Sequence, residues 1–234
     1  LRELGRSDDE RMNEAIASSL ASDAPTLRAE ARDQTTIRDP AEGLELYIEA
    51  MSIGTRYEQQ RAVRGLSGLD DPRASKRILG LAVGLVGVGG SSSPIAVEVQ
   101  EAALRSTDPE TAAIARAWND RAMDSAVEWS ISLEGGDPEA GALVARYHAG
   151  AQCLRCHVID GRGGDAGPKL DGIAARSNPA TILQSVIDPQ AVLVEGYGDA
   201  SAMPNLRPIL TPREVRDLVA YLSTLKTVDT SSGH

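Results

Sequence analysis

The feature that most constrains this chain is one short segment, Cys153-Leu154-Arg155-Cys156-His157. Its pattern, Cys-x-x-Cys-His, is the motif by which proteins attach a c-type haem. The two thiols add to the two vinyl groups of the haem, and the histidine binds the iron. The two-residue gap places both sulfur atoms on one side of a tight helical turn and brings His157 under the metal. Since aromatic residues make up only 3% of the chain, a haem would add a large apolar surface to an aliphatic core.

Two other uses of a Cys-x-x-Cys pair compete with haem attachment. A redox-active dithiol is expected in a strand–loop–helix context, and the sequence around Cys153 predicts none. A structural zinc site needs a second pair of ligands. The chain has two cysteines in all and three histidines, so it cannot supply a common zinc site. The motif therefore favours haem attachment.

Two further motifs follow the histidine in a defined order. Gly167-Pro168-Lys169-Leu170 begins ten residues after His157, and Ser201-Ala202-Met203-Pro204-Asn205 comes later. Together with the attachment motif they resemble a class I cytochrome c, over about residues 137–228. This resemblance implies one covalent haem c held by the two cysteines, which would be an iron-containing electron carrier.

The resemblance also implies roles for individual residues. His157 and Met203 would be the two axial ligands of the iron. The carbonyl of Pro168 would accept a hydrogen bond from the other ring N–H of the histidine, which fixes the tautomer and raises the basicity of the ligand. Leu170 would pack on the face of the haem.

The choice of sixth ligand can be narrowed from the positions of the candidates. Met12, Met51 and Met123 precede the attachment motif, and Met203 alone follows it, in a loop that contains proline. His148 is an alternative on chemistry alone, but its place before the motif does not match the family. Met203 is therefore the predicted ligand.

The chain before residue 127 predicts helices throughout. Three Asp-Pro pairs, at Asp39, Asp71 and Asp108, each open a helical pattern, because aspartate caps the first turn and proline tolerates the first helical position. The pairs are 32 and 37 residues apart, which is long enough for a helix pair in each interval. This spacing is similar to HEAT-type repeats, which form an α-solenoid. A non-repeating helical bundle is the alternative.

We therefore predict an all-α protein, in which a HEAT-like helical repeat domain is followed by a class I cytochrome c domain. The predicted boundaries are 1–126 for the repeat domain, 127–136 for a linker, 137–228 for the cytochrome c domain and 229–234 for a tail. The alternation of Trp129, Ile131 and Leu133 indicates that the linker lies against one domain, with Gly135-Gly136 as its hinge.

Local patterns give more detail on some helices. In class I cytochromes c the first and last helices cross, and Gly141 and Tyr221 are the candidates for the close contact. A capping box, Thr211-Pro212-Arg213-Glu214, begins the last helix. An apolar stripe follows on this helix, and Arg213, Arg216 and Lys226 are predicted to lie outside it. In the repeat domain, Glu58 among three arginines predicts an exposed, salt-bridged helix face.

The residues 188–198 narrow the resemblance to one cytochrome c subtype. That subtype ends large dehydrogenases that join a β-propeller, a HEAT-like helical segment and a haem domain. The helical region matches the middle part, whereas the sequence shows no propeller-like run of short strands. The resemblance implies an electron-transfer protein rather than an enzyme, which accepts electrons from a dehydrogenase domain or a redox partner protein.

Two functions of other classes stay open at this point. If Met203 does not bind the iron, the open position could reduce peroxide, although the sequence shows no distal His or Arg pair. Alternatively, the helical repeat is the working part, an interaction scaffold in which the haem acts as a sensor.

Charge and hydropathy bear on partners and location. Residues 1–136 hold 23 acidic and 15 basic side chains, against 10 and 9 in residues 137–228, so the acidity belongs to the repeat domain and disfavours nucleic-acid binding. The longest apolar run, residues 78–90, is too short to be a transmembrane segment. Haem is attached covalently outside the cytoplasmic membrane, which predicts a periplasmic or similar location with a leader upstream or removed. The abrupt start at Leu1 predicts a segment of a longer protein.

Overall fold

The computed structural model of the chain describes residues 10–87, 93–124 and 128–226. The described residues divide into two compact units. The first unit contains residues 10–87 and 94–119, and the second unit contains residue 93, residues 120–124 and residues 128–226. The helices up to residue 124 are α1 Glu10–Leu20, α2 Pro25–Arg38, α3 Pro40–Ile53, α4 Arg56–Leu66, α5 Pro72–Gly87, α6 Ala96–Leu104 and α7 Pro109–Asp124.

The three Asp-Pro pairs begin α3, α5 and α7, which confirms the predicted helix starts. The carboxylate of Asp39 accepts hydrogen bonds from the N–H groups of Ala41 at 2.9 Å and Glu42 at 3.1 Å. Asp71 and Asp108 cap their helices in the same way, each through one backbone N–H at 2.7 and 2.8 Å. These bonds satisfy donors that the first turn of a helix leaves without partners.

In the first unit, consecutive helices pack against each other from α1 to α4, and α2, α4 and α6 also pack in series. Leu44, Val63 and Leu66 are fully buried in this unit. Within the described ranges, the helices of the chain are all too short or too polar to cross a bilayer. The architecture is all-α, as predicted, while the HEAT-like assignment of these helices stays a prediction.

The face of α4 that carries Glu58 is salt-bridged, as the sequence predicts, but the prediction that it is exposed is wrong. The side chain of Glu58 is only 1% exposed, and it accepts hydrogen bonds from Arg28 at 2.7 Å and Arg32 at 2.6 Å. Both arginines belong to α2. The ion pairs therefore join two helices across a packed interface, whereas the prediction considered only neighbours on one helix.

The second unit contains short helices around a small hairpin. Its elements are a 3₁₀ segment Glu128–Leu133, α8 Pro138–Tyr147, a 3₁₀ turn Cys153–Arg155, β1 Val158–Ile159, β2 Arg162–Gly163, α9 Ile173–Arg176, α10 Pro179–Ile187 and α11 Pro212–Leu222. The two strands are antiparallel, with Val158 opposite Gly163 and Ile159 opposite Arg162. The core of this unit includes Ile182, Leu206 and Leu218.

Helices α8 and α11 form the main packing contact of the second unit. A Cβ atom on Gly141 would overlap the carbonyl oxygen of Asp217 and lie 2.8 Å from the Cβ of Tyr221. Glycine at this position therefore lets the two backbones approach, which confirms the predicted crossing of the first and last helices at Gly141 and Tyr221.

The 3₁₀ segment Glu128–Leu133, called the covering segment below, lies against α11. Trp129 and Ile131 are buried, and Ser132 donates a hydrogen bond to the carbonyl of Pro212 at 2.9 Å. This covering segment also explains why Arg216 is 3% exposed rather than outside, as the stripe on α11 predicted. Its Nε lies 3.1 Å from a carboxylate oxygen of Asp217, which compensates for part of the cost of burying a charge.

Candidate cofactor site

The attachment motif forms a tight turn, as its spacing indicates. Residues Cys153–Arg155 make one 3₁₀ turn, and the carbonyl of Cys153 accepts hydrogen bonds from the N–H of Cys156 at 3.2 Å and of His157 at 3.0 Å. Both thiols are free: Cys153 is half-buried and Cys156 is exposed. Burial raises the pKa of the Cys153 thiol, which keeps it neutral at pH 7. The turn thus presents two unbonded thiols directly before an imidazole.

The orientation of His157 is set by a proline carbonyl. Its Nδ1 lies 2.8 Å from the carbonyl oxygen of Pro168. A carbonyl oxygen only accepts, so Nδ1 carries the proton and donates. In the neutral imidazole, the other ring nitrogen, Nε2, then has a lone pair available for a metal.

A glycine lets the imidazole occupy this position. A Cβ atom on Gly167 would lie 2.7 Å from Cε1 and 2.8 Å from Nδ1 of His157, which is well inside van der Waals contact. The N–H of Gly167 also donates to the carbonyl of Cys156 at 2.7 Å. The loop therefore closes over the ring with backbone alone.

The loop between the histidine and Leu170 is held at its far end by a carboxylate. The hairpin turns at Asp160 and Gly161, both with positive φ, 52° and 68°, as a two-residue turn of this sequence favours. The side chain of Asp171 accepts from the N–H of Asp160 at 2.7 Å and of Gly161 at 3.4 Å. The sequence-based predictions did not include this arrangement, although the Asp-Gly pair directly after Val158 and Ile159 was its signal.

The same turn is fixed to the two crossing helices. Arg146 of α8 pairs with the carboxylate of Asp160, donates to the hydroxyl of Tyr221 at 3.1 Å and stacks on that ring, 5.5 Å from its centroid. The loop that carries His157 and Pro168 is thereby tied to α8 and α11. No local pattern indicates this cluster, because its three members are far apart along the chain.

Met203 and Leu170 lie at the edge of the core of the second unit. Both are partly buried and pack against the same hydrophobic cluster, as Leu154 of the attachment motif also does. The N–H of Met203 donates to the hydroxyl of Ser201 at 3.2 Å. Among the described hydrogen bonds, those of Met203 and those of His157 share no residue. The structure therefore places His157 and Pro168 in direct contact. Met203 and Leu170 share an apolar cluster with each other and with Leu154 of the attachment motif.

His148 is engaged in the turn that follows α8. Its Nδ1 accepts hydrogen bonds from the N–H groups of Gly150 at 3.2 Å and Ala151 at 3.0 Å. Its Nε2 lies 3.6 Å from a carboxylate oxygen of Glu214. Nδ1 of His148 is thus engaged with the backbone of this turn, and its Nε2 lies near a carboxylate.

The residues of the site fit a c-type haem. Two free thiols and one imidazole with an available Nε2 are the protein groups that covalent attachment and axial ligation require, and apolar side chains border them. Among the described residues, no group of three or more His, Cys, Asp or Glu side chains is placed to hold a metal ion by itself, which argues against the zinc alternative.

Comparison with known proteins supports the same conclusion. The family model described as Cytochrome c matches residues 142–226, a range that begins within α8, extends just past the end of α11 and contains the attachment motif. The curated proteins gave no significant match, and neither did the solved structures. The family implies a covalently bound c-type haem and a redox partner. Residues 142–226 of this chain therefore form a class I cytochrome c domain, a module of haem-based electron transfer.

Proposed function

We propose that the chain is a monohaem electron-transfer protein with His157 and Met203 as the two axial ligands of the iron. Cys153 and Cys156 hold the haem through thioether bonds. The observation that carries this proposal is the 2.8 Å contact between Nδ1 of His157 and the carbonyl of Pro168, because it leaves Nε2 as the ligand atom. A haem with imidazole and thioether ligands cycles between Fe(III) and Fe(II), and the thioether favours Fe(II).

The protein's own residues prepare this site in three ways. Pro168 fixes the tautomer of His157 and increases its basicity. Gly167 gives the ring its space, since any side chain at this position would push it away. Met203 stands in a loop after α10, in which Pro204 restricts the backbone. Two axial side chains leave no open position for peroxide, which favours electron transfer over a peroxidase.

We assign the electron donor to a dehydrogenase, either a domain of a longer protein or a separate redox partner. The support is the resemblance of residues 188–198 to the haem domains of such enzymes, together with a preceding unit of helices packed in series. In this proposal a HEAT-like repeat domain spans residues 1–126, as predicted above, and includes the helices of the first unit. Because cytochrome c domains typically act outside the cytoplasmic membrane, the proposed location is the periplasm or an equivalent compartment.

The axial ligands are tested by Met203→Ala in the full chain with haem attached. We expect the haem to stay covalently bound, because the thioether bonds do not involve Met203. We also expect a lower reduction potential, loss of the weak far-red sulfur-to-iron absorption band, and ready binding of cyanide to Fe(III) or carbon monoxide to Fe(II). Optical spectra and a potentiometric titration measure all three properties.

Two variants serve as controls for this test. Met51→Ala makes the same chemical change in the first unit, and His148→Ala removes the alternative ligand. Both should keep the band and the potential of the unmodified protein. If Met203→Ala also keeps them, Met203 is not a ligand and the electron-transfer proposal loses its chemical basis.

A further inference from the structure

The segment between α10 and Met203 is an exposed loop whose two ends are joined by one pair of hydrogen bonds, called the closure below. All residues from 193 to 200 are exposed, and the loop includes two glycines with positive φ, Gly196 and Gly198, at 90° and 91°. No atom lies within 4 Å of the Cβ position of Gly196, so this part of the loop is not packed. The location of the residues after the loop depends on how its two ends are joined.

The two ends are joined by the side chain of Gln190. Its Nε2 donates to the carbonyl oxygen of Ser201 at 2.8 Å, and its Oε1 accepts from the N–H of Ser201 at 3.1 Å. One side-chain amide therefore binds both backbone groups of one residue, as a neighbouring strand would. Among the standard side chains, only Gln and Asn carry such a donor and acceptor in one planar group.

The closure leads directly to Met203. The hydroxyl of Ser201 accepts a hydrogen bond from the N–H of Met203 at 3.2 Å, so the residue held by Gln190 in turn holds the backbone of Met203. At its other end, Gln190 follows Pro189, which is buried, and α10, whose residues Ile182 and Val186 are in the core. A continuous set of contacts thus connects the rigid core to the methionine around the exposed loop.

We propose that Gln190 is a positioning residue for Met203: its paired hydrogen bonds to Ser201 keep the thioether near the iron. The inference rests on the proposed axial role of Met203. If the closure is lost, the loop gains conformational freedom, and the population in which Met203 has left the iron increases. An external ligand that competes with Met203 then binds more tightly.

The test is a titration of the oxidised full chain, with haem attached, with imidazole. We expect Gln190→Ala to bind imidazole about fivefold more tightly than the unmodified protein, because two exposed hydrogen bonds are lost. Gln190→Glu keeps the length of the side chain but replaces the N–H donor with a carboxylate oxygen that faces the carbonyl oxygen of Ser201. The Gln190→Glu protein should therefore bind imidazole at least as tightly as the Gln190→Ala protein. Gln184→Ala and Gln184→Glu, at an exposed position of α10, are the matched controls and should show no change.

The outcomes separate this inference from the proposed function. Met203→Ala sets the imidazole affinity of a protein without the ligand, and the Gln190 variants should fall between this value and that of the unmodified protein. If Met203→Ala changes the affinity but the Gln190 variants match the Gln184 controls, the positioning role is refuted and the ligation stands. The same conclusion follows if the Gln190 variants only lower the melting temperature. If Met203→Ala itself has no effect, both proposals fail.

Discussion

At the scale of single residues, the site depends on where side chains are absent as much as on where they are present. The imidazole of His157 and the backbone of Gly167 share a space that admits no Cβ atom. The backbone at Gly167 is not in the left-handed region, so other residues could adopt its conformation. The restriction is one of space alone.

The first prediction concerns this contact. Gly167→Ala should displace the ring of His157, break its hydrogen bond to Pro168 and destabilise the holo protein by about 1–3 kcal/mol, the usual cost of overpacking. Chemical denaturation with haem absorbance as the signal measures the loss. Gly161→Asn is the control, because Asn tolerates the positive φ at this open position. Equal stability of the two variants would show that the ring can move at no cost.

How far the site could be predicted follows from the same residues. The tautomer of His157 was predictable, because Pro168 belongs to a recognisable motif. The roles of Asp171 and Arg146 were not predictable, because each residue acts through contacts that form only when the chain has folded. Gln190 also stands in a stretch that resembles a family, but no local pattern indicates which backbone group its side chain binds.

At the scale of helices, the last one begins as predicted. Thr211 accepts from the N–H of Glu214 at 3.3 Å, and Glu214 accepts in return from the N–H of Thr211 at 2.8 Å. The apolar stripe that follows is buried, with Val215, Leu218 and Val219 each at most 2% exposed. Local pattern was sufficient here, because both parts of the cap lie within one turn.

The second prediction tests this cap. Thr211→Ala should lower the free energy of unfolding of the holo protein by about 1 kcal/mol, because the N–H of Glu214 loses its acceptor. Thr211→Ser keeps the hydroxyl and should retain most of the stability. Thermal unfolding of the three proteins, followed by circular dichroism, provides the comparison. An unchanged melting temperature for the alanine variant would mean that the cap contributes nothing.

The third prediction concerns the buried carboxylate between α2 and α4. Hydrogen bonds from Arg28, with smaller contributions from Arg32 and Thr55, outweigh burial and hold the pKa of Glu58 well below its usual range. A carboxyl group with a lowered pKa stabilises the fold above its unfolded pKa of about 4.3, and this stabilisation is lost as the pH falls through the folded value. We therefore expect the first unit to lose stability below about pH 4.

Glu58→Gln tests this expectation. It should destabilise the first unit at pH 7 by about 3 kcal/mol, because two arginines lose their counter-charge, and it should flatten the acid dependence. Glu45→Gln is the control: Glu45 pairs with Arg73 at 2.9 Å on the surface, where it is 64% exposed, and its loss should cost about 0.5 kcal/mol or less. Urea unfolding between pH 3 and 7 gives both quantities, and parallel curves for Glu58→Gln and the unmodified protein would contradict the assignment.

At the scale of the whole molecule, charge is distributed unequally along the chain. Of the net charge of −10, residues 1–136 contribute −8 and residues 137–228 contribute −1, so the cytochrome c domain is close to neutral. Part of the acidity of the first unit is compensated internally, as at Glu58, but α3 carries Glu42, Glu45 and Glu49 on its exposed surface. We therefore expect a cationic redox partner to be attracted more strongly by the acidic residues before the cytochrome c domain, those of α3 among them, than by that domain.

The fourth prediction follows from this distribution. Changing Glu42, Glu45 and Glu49 together to Gln should slow association with a cationic redox protein about threefold at low ionic strength, with a smaller effect at high salt. The control changes Glu139 and Glu195 to Gln and Asp199 to Asn in the second unit, which alters the net charge equally. Stopped-flow electron transfer measures both. If the control slows association as much as the first variant, the acidic surface of α3 is not the main source of attraction.

The covering segment and the crossing of α8 with α11 determine where the chain passes into and out of the cytochrome c domain. Gly136 approaches Ala220, with its Cβ position 2.6 Å from the carbonyl of Arg216, and the N–H of Asp137 donates to Asp217 at 3.0 Å. After the covering segment, the polypeptide thus begins α8 beside α11, which ends two residues beyond Ala220, at Leu222. The start of α8 and the end of α11 are therefore neighbours, an arrangement that suits the insertion of the residues between them into a surface loop of another protein. The cysteines and Met203 lie between these two points, so an insertion at this place would carry all the proposed haem-binding residues together.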